Sequence, residues 1–377
     1  MKVVHMGNLA NDAYPVVEGL RKRGVDADLY VPFPSHVCAL PQWETCDLDA
    51  SDIADPFNPN LTALNRDFVQ PSWLHFIHIR RSGLDLPGRS VNFLRIMRRY
   101  DLIVAHVPFA LYAQFSRKPY IAFDAGAIRY LDMKPSSYHR IRSWLLKRGY
   151  KNAKTILMTN PDTLDLFQAH GFNPVFMPFL IDTSRYRPTV MEDTLPFEYV
   201  FFMPSRQIWR EKGNDLVVEA FARFCKEYKE ALLAMIDWGE DAERTRSLVS
   251  KLGIEKSVMW LPLMSKPRVM RWYNLSTAVA DQFVLGSYGT TAPEAMACEK
   301  PVVIYISEQH HLRTFGEVPP VLNARSTEEI LSSLILCTDS SFRRKVGGLS
   351  REWVERHHSP EIVVSRHIAA YQGWEKS

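Results

Sequence analysis

The sequence predicts an α/β protein made of two doubly wound parallel sheets, and three observations carry that expectation. Short, continuously apolar runs alternate with helical patterns along the whole chain, as parallel strands buried on both faces require. The runs fall into two sets of similar size, one in each half. A stretch rich in proline and polar residues, "FLIDTSRYRPTVMEDTLPFEY" at 179–199, separates them. With 377 residues the chain has room for about two domains of roughly 100–200 residues each. An eight-strand barrel would accommodate neither so many strands nor a break in mid-chain.

In the first half the expected strands are residues 2–7, 26–32, 101–108, 119–126, 155–160 and 175–179. In the second they are 199–205, 231–239, 258–262, 277–283, 301–306 and 319–324. Helical spacing places Val16, Val17 and Leu20 on one side of 14–23, and Leu216, Val217, Ala220, Phe221 and Phe224 on one side of 215–228. The βαβα order implies parallel sheets with helices on both faces. Residues 38–90, rich in Pro, Asp and Asn without sustained periodicity, read as long loops with short helices, a candidate substrate-facing insertion. The segment 360–377 reads as a helix with Ser359 as N-cap and Pro360 at its first position.

Composition narrows the function classes. A hydrophobic fraction of 46% with 23% charged residues describes an ordinary globular protein. No apolar run approaches the ~18–20 residues that span a bilayer, and the opening "MKVVHMGNLANDAY" lacks the apolar core of a signal peptide. The expectation is a cytoplasmic protein. Cys38, Cys46, Cys225, Cys298 and Cys337 are scattered, which argues against a disulfide framework and a zinc site. A formal net charge of +4 makes no case for nucleic acid.

Doubly wound domains bind ligands at the carboxyl ends of their strands, and in the second half three stretches lie there. "SRQIWREKGNDL" places Arg206 and Lys212 before a helix, where fixed charge and free N–H groups suit a diphosphate. "AMIDWGEDAERTR" turns at Gly239. "LGSYGTTAPEAMACEKPVV" offers small residues and hydroxyls from Gly286 through Ser287, Tyr288, Gly289, Thr290 and Thr291, and then Glu294. Glu294 is either a partner of the helix dipole or an acceptor for both hydroxyls of a ribose.

Together these stretches resemble the retaining glycosyltransferases of family 4 (glycosyl transferases group 1). That resemblance implies the GT-B fold: two Rossmann-like domains facing across a cleft, with a C-terminal helix crossing back. Its domains would be an acceptor-side domain (1–180), a nucleotide-sugar domain (181–359) and a returning helix (360–377). In that family an Arg and a Lys six residues later hold the donor diphosphate, which matches Arg206 and Lys212 as the catalytic pair. The second glutamate of the E-x7-E signature matches Glu294, which would hold the ribose. "PFLIDTSRYRP" resembles the start of the family's nucleotide domain, and "MKVVHMGNLANDAYPVVEGLRKRG" its opening strand–loop–helix.

The departures are specific. The first glutamate of the signature falls at Gly286, and the family's His-Gly aligns with Ala125-Gly126. Both lost groups would touch the donor sugar, so the nucleotide end reads as intact and the sugar end as altered. The resemblance implies a UDP- or GDP-sugar donor, a glycan, lipid-linked or small-molecule acceptor, retention of anomeric configuration, and neither cofactor nor metal. Acceptor-side candidates are Gly7, Asn11, Tyr14, His106, Asp124 and Arg129. Arg129 either holds an anion or pairs internally with Asp124, and His106 is either a cleft residue or a satisfied core histidine. Trp43, Trp73 and "HFIHIRR" (75–81) are weaker candidates for the same side. Residues 131–154 carry seven Lys/Arg against one Asp, with Tyr138, Ile141, Trp144 and Leu145 at helical spacing. They form either an ordinary surface helix or a peripheral membrane contact. A catalytically silent GT-B subunit is the alternative to an enzyme. A dehydrogenase is disfavoured because no G-x-G-x-x-G follows the first strand.

Overall fold

The computed structural model describes the chain apart from residues 49–52, 54, 58, 79–85, 132–136, 193–194 and 374–377 and the side chains of 63, 86–89 and 137–139. It forms two compact units. The first comprises Met1–Cys46, Asp52–Leu180 and Pro360–Ser377, the second Asp47–Ser51 and Ile181–Ser359.

The sheet of the first unit contains β1 (Lys2–Met6), β2 (Asp26–Phe33), β3 (Leu74–His78), β4 (Leu102–His106), β5 (Tyr120–Asp124), β6 (Thr155–Met158) and β7 (Val175–Phe176). They lie in the order β3-β2-β1-β4-β5-β6-β7, every neighbouring pair parallel. β3 corrects the reading of 38–90 as loops and short helices. Its sequence, LHFIH, has only Leu74 and Ile77 buried, so this edge strand shows no continuous apolar run. The central strands are buried throughout, and their side chains pack with Phe93, Phe109, Tyr150 and Phe167.

The sheet of the second unit contains β8 (Tyr199–Met203), β9 (Ala231–Ile236), β10 (Val258–Leu261), β11 (Ala278–Ala280), β12 (Val302–Ile304) and β13 (Leu322–Asn323). The order is β10-β9-β8-β11-β12-β13, again all parallel. Val217, Val218, Phe221 and Phe224 of the helix Asn214–Glu227 pack against one face.

The helix Pro360–Gly373 starts directly after Ser359, whose extended backbone (φ −60°, ψ 152°) ends the preceding helix Ser340–His358. Val363, Val364, His367 and Tyr371 are its buried residues. It packs within the first unit, where Arg23 Nη1 donates to Ser365 Oγ at 2.8 Å. Among the described residues no helix is long and apolar enough to cross a membrane.

Candidate functional site

A doubly wound sheet takes its ligand where the strand order reverses, beyond the carboxyl ends of the strands. In the second sheet that point lies between β8 and β11. The loops leaving the two strands are tied together there, Ser205 Oγ donating to the Asp281 carbonyl at 2.7 Å. Arg206 follows, its side chain 45% exposed and 3.7 Å from the Glu211 carboxylate, with its guanidinium over the Trp238 ring. Lys212 ends the short helix Trp209–Lys212, and its Nζ donates to Gln282 Oε1 at 2.6 Å. Gly239 has φ +129°, and a Cβ there would lie 2.4 Å from the Gln207 carbonyl oxygen. Only glycine lets the loop after β9 run this close to the loop after β8.

The loop after β11 explains one departure from the family pattern. Gly286 sits at φ +71°, with Tyr305 3.1 Å from where a Cβ would be. The backbone is shaped for glycine, so a glutamate would be strained in this conformation. Gln282 Nε2 donates to the Ser287 carbonyl within the same loop. Asp281 Oδ2, Ser287 Oγ and Gln207 Oε1 are buried without hydrogen-bond partners, which is uncommon enough to mark the place. Burial raises the pKa of Asp281, while Lys212 and Lys266 pull it down.

Glu294 is 3% exposed in the helix Thr291–Ala297. Its carboxylate accepts from Lys266 Nζ at 2.5 and 2.7 Å and from the Tyr273 hydroxyl at 2.9 Å. Lys266 also reaches Thr290 Oγ1 at 3.2 Å. Burial and the Glu294 charge hold the Tyr273 hydroxyl well above its ordinary pKa, so it stays a donor. Thr290 precedes this helix without a side-chain capping bond, and Thr291 opens it. The space beside Gly289 is open. Tyr288, also among the donor-side candidates, is one of the most enclosed residues of this loop. It is buried among Phe315, His311 and Trp353, its hydroxyl 3.1 Å from His358 Nε2. Its ring fills the core beneath the loop.

In the first unit the candidates separate. His106 ends β4 fully buried, its Nε2 3.1 Å from His5 Nδ1 and its Nδ1 3.3 Å from the Asp12 carboxylate. Gly7 and Asn11 lie in the loop after β1, both with positive φ, and Tyr14 is buried with its ring near Trp73. Asp124 accepts from the Tyr150 hydroxyl at 2.5 Å and from the Gly126 N–H at 2.6 Å, and burial raises its pKa. Arg129, open between holding an anion and pairing with Asp124, makes its two side-chain hydrogen bonds, at 2.8 and 2.6 Å, to Asp162 instead of Asp124. Trp43 is core, and residues 75–78 of "HFIHIRR" belong to β3; residues 79–81 lie outside the described residues. In the helix Ser137–Asn152 the packed side chains are Leu146 and Tyr150, whereas Ile141 and Trp144 are 61% and 59% exposed. Of the two alternatives for this segment, that exposure does not fit a helix packing Ile141 and Trp144 on the sheet; the side chain of Tyr138 is not among those described.

The sequence reading missed Lys266, Tyr273, Asp281 and Gln282. Lys266 was within reach, because "PLMSKPRV" places a cation after a strand end and before a helix, the criterion that selected Arg206 and Lys212. Among the described residues no group of His, Cys, Asp and Glu is arranged to hold a metal ion.

Residues 195–310 match the family model "Glycosyl transferases group 1". A curated relative, D-inositol 3-phosphate glycosyltransferase of Kribbella flavida, is 28% identical over 138 residues, covering 34% of this chain and 31% of that protein. The chain therefore aligns with about a third of that relative's length. Among solved structures, sucrose-phosphate synthase from Thermosynechococcus elongatus gives a TM-score of 0.71 at 15% identity, covering all of both chains. Anabaena Alr3699/HepE, solved in complex with UDP and glucose, gives 0.70 at 14% identity over 99% of each chain. A glycosyltransferase from Rickettsia africae gives 0.67 at 12% identity. These likenesses establish the fold as GT-B, two Rossmann-like α/β units.

Proposed function

We propose that the protein is a glycosyltransferase that moves a sugar from a nucleoside-diphosphate sugar to a hydroxyl acceptor with retention of anomeric configuration. The observation that carries this reading is the set of charged groups that follow the carboxyl ends of the second sheet's strands: Arg206 and Lys212 come after β8, Lys212 and Lys266 both act on Asp281 after β11, and Lys266 pairs with Glu294. The cations suit the charge that builds on a departing diphosphate, and the Glu294 carboxylate offers acceptors to a ribose diol. The match of residues 195–310 to the group 1 model spans this site, and the UDP complexes of HepE favour UDP over GDP. The acceptor is a glycan, a lipid-linked sugar or a small molecule. The exposed Ile141 and Trp144, on a helix that also exposes Arg140 and Arg142, support peripheral contact with an anionic membrane.

The test is release of free nucleotide from UDP- and GDP-sugars, including hexose, N-acetylhexosamine, pentose, deoxy and uronate donors, alongside calorimetry with UDP and GDP. Arg206→Ala and Lys212→Ala are each expected to lower kcat/KM by about 30- to 1000-fold, equivalent to ~2–4 kcal/mol. Unchanged turnover and unchanged nucleotide affinity in both variants would place the site elsewhere. Tight nucleotide binding without turnover of any donor would favour a catalytically silent subunit.

A further inference from the structure

The first sheet has its own switch point, between β1 and β4, and the loop leaving β1 there is under conformational constraint. Ala10 and Asn11 both hold left-handed backbone, at φ 50° and 61°, which side-chain-bearing residues adopt only when their surroundings impose it. Asn8 fixes the local hydrogen bonding. Its Oδ1 accepts the N–H groups of Ala13 and Tyr14, both at 3.0 Å. Its Nδ2 therefore faces Asn11 Oδ1 at 2.7 Å and the Ala39 carbonyl at 2.8 Å. This sets the orientation of the Asn11 amide and leaves Asn11 Nδ2 a buried donor with no partner. The next residue carries the complement. Both Asp12 carboxylate oxygens stand 3.3 Å from His106 Nδ1, yet only Oδ2 is aligned for a hydrogen bond, and buried Oδ1 has no hydrogen-bond partner. Both side chains are 4% exposed.

Behind Asp12 runs a chain of side chains whose hydrogen bonds are already committed. His5 Nε2 lies 2.8 Å from the Tyr371 hydroxyl, which lies 3.1 Å from His367 Nδ1. One tautomer set satisfies the whole chain: His367 donates to Tyr371, Tyr371 to His5, His5 to His106, and His106 to Asp12. The contacts of this chain leave Asp12 Oδ1 and Asn11 Nδ2 unmatched.

We propose that Asn11 Nδ2 and Asp12 Oδ1 anchor the acceptor hydroxyl, with His106 a positioning residue that holds Asp12. An orphan donor and an orphan acceptor on consecutive residues suit a group that accepts and donates at once, as a hydroxyl does. A carboxylate ligand would be repelled by Asp12, and an ammonium would leave Asn11 Nδ2 unpaired. The proposal rests on the glycosyltransferase reading for its name of acceptor, and the experiment separates the two.

The full chain is compared with Asn11→Gly, which suits the left-handed backbone, and with Asp12→Asn. The readouts are UDP affinity, melting temperature, and the partition of a turned-over donor between water and a pool of methyl glycosides and myo-inositol. The expected result is a melting temperature at or above wild type. The ratio of transfer to hydrolysis is expected to fall about tenfold for Asn11→Gly and about a hundredfold for Asp12→Asn, the scale of losing a neutral and a charged hydrogen bond. His106→Gln, which keeps a donor, is expected to retain more transfer than His106→Phe. An unchanged ratio would overturn the proposal, as would a lowered melting temperature with equal loss of transfer and hydrolysis, because the pair would then serve the loop alone. If wild type turns over no donor and binds no UDP, the glycosyltransferase reading fails, and stabilisation by the polyol pool decides the site. Stabilisation of wild type but not of the variants supports it; equal stabilisation, or none, overturns it.

Discussion

Lys266 Nζ lies 2.5 and 2.7 Å from the two carboxylate oxygens of Glu294, with side-chain exposures of 15% and 3%. The pair joins the helix that follows β10 to the helix that follows β11. A carboxylate so deep requires a counter-charge, and the Tyr273 hydroxyl at 2.9 Å adds a third contact.

Replacing one member removes the other's counter-charge. Lys266→Met is expected to lower the unfolding free energy by about 2–3 kcal/mol, somewhat below the range for fully buried pairs because the lysine is partly wet. Urea titration measures the loss. The double variant with Glu294→Gln should recover part of it, since the buried charge disappears together with its partner. A fully additive double variant would mean that the two residues do not interact.

Restoring the family's carboxylate should not restore a site. Gly286→Glu forces a side chain onto a backbone at φ +71° beside Tyr305, at a cost of about 1–3 kcal/mol. A lowered melting temperature without faster donor turnover is the expected outcome. A gain in turnover would show that the loop adapts to the carboxylate.

Acid should loosen the first unit. Burial, reinforced by His106 and His367, holds the pKa of His5 well below 6.5, and burial, reinforced by His106, holds that of His367 at about 3. The groups packed around them are Tyr371, His106 with its Asp12 partner, and Phe123. Below pH 6.5 the unfolded chain binds protons that the folded chain refuses, so stability is full above 6.5 and falls progressively towards 3. For His367 alone the loss by pH 5 is roughly 2 kcal/mol. Urea midpoints measured between pH 5 and 7.5 should show the slope, and His367→Gln should flatten it.

Tyr288→Phe removes a buried hydroxyl and leaves His358 Nε2 facing an apolar ring. About 1 kcal/mol of stability should be lost, read by thermal melting, while UDP affinity stays the same. A large fall in UDP affinity would return Tyr288 to the donor side.

The parallel strands were legible because burial on both faces writes itself as continuous apolar runs, as in "LIVAH" and "ALLAMI". β3 was not, because an edge strand with only two buried side chains lacks that signature. Arg206, Lys212 and Glu294 could be nominated as candidates from spacing, since a loop and the helix after it keep chemistry local in sequence. Their pairings could not. Lys266 meets Glu294 across 28 residues, and Arg129 meets Asp162 across 33. Which cation finds which acid is settled by packing between elements, and periodicity carries no record of it. The same holds for Ile141 and Trp144, where helical spacing gave a stripe but not which stripe turns to the sheet.

His5 and Tyr371 are hydrogen-bonded across 366 positions of the chain. At the usual elongation rate of ~5–20 residues per second, the partner of His5 emerges roughly 20–70 s after His5 itself. Throughout that interval the first unit lacks its last helix while the whole second unit is being synthesised. A nascent chain therefore carries an unfinished first unit with His5 uncovered, a period in which a holdase chaperone would find its substrate. Ribosome-bound chains arrested before residue 360 should bind such chaperones, and chains extended past residue 373 should let them go.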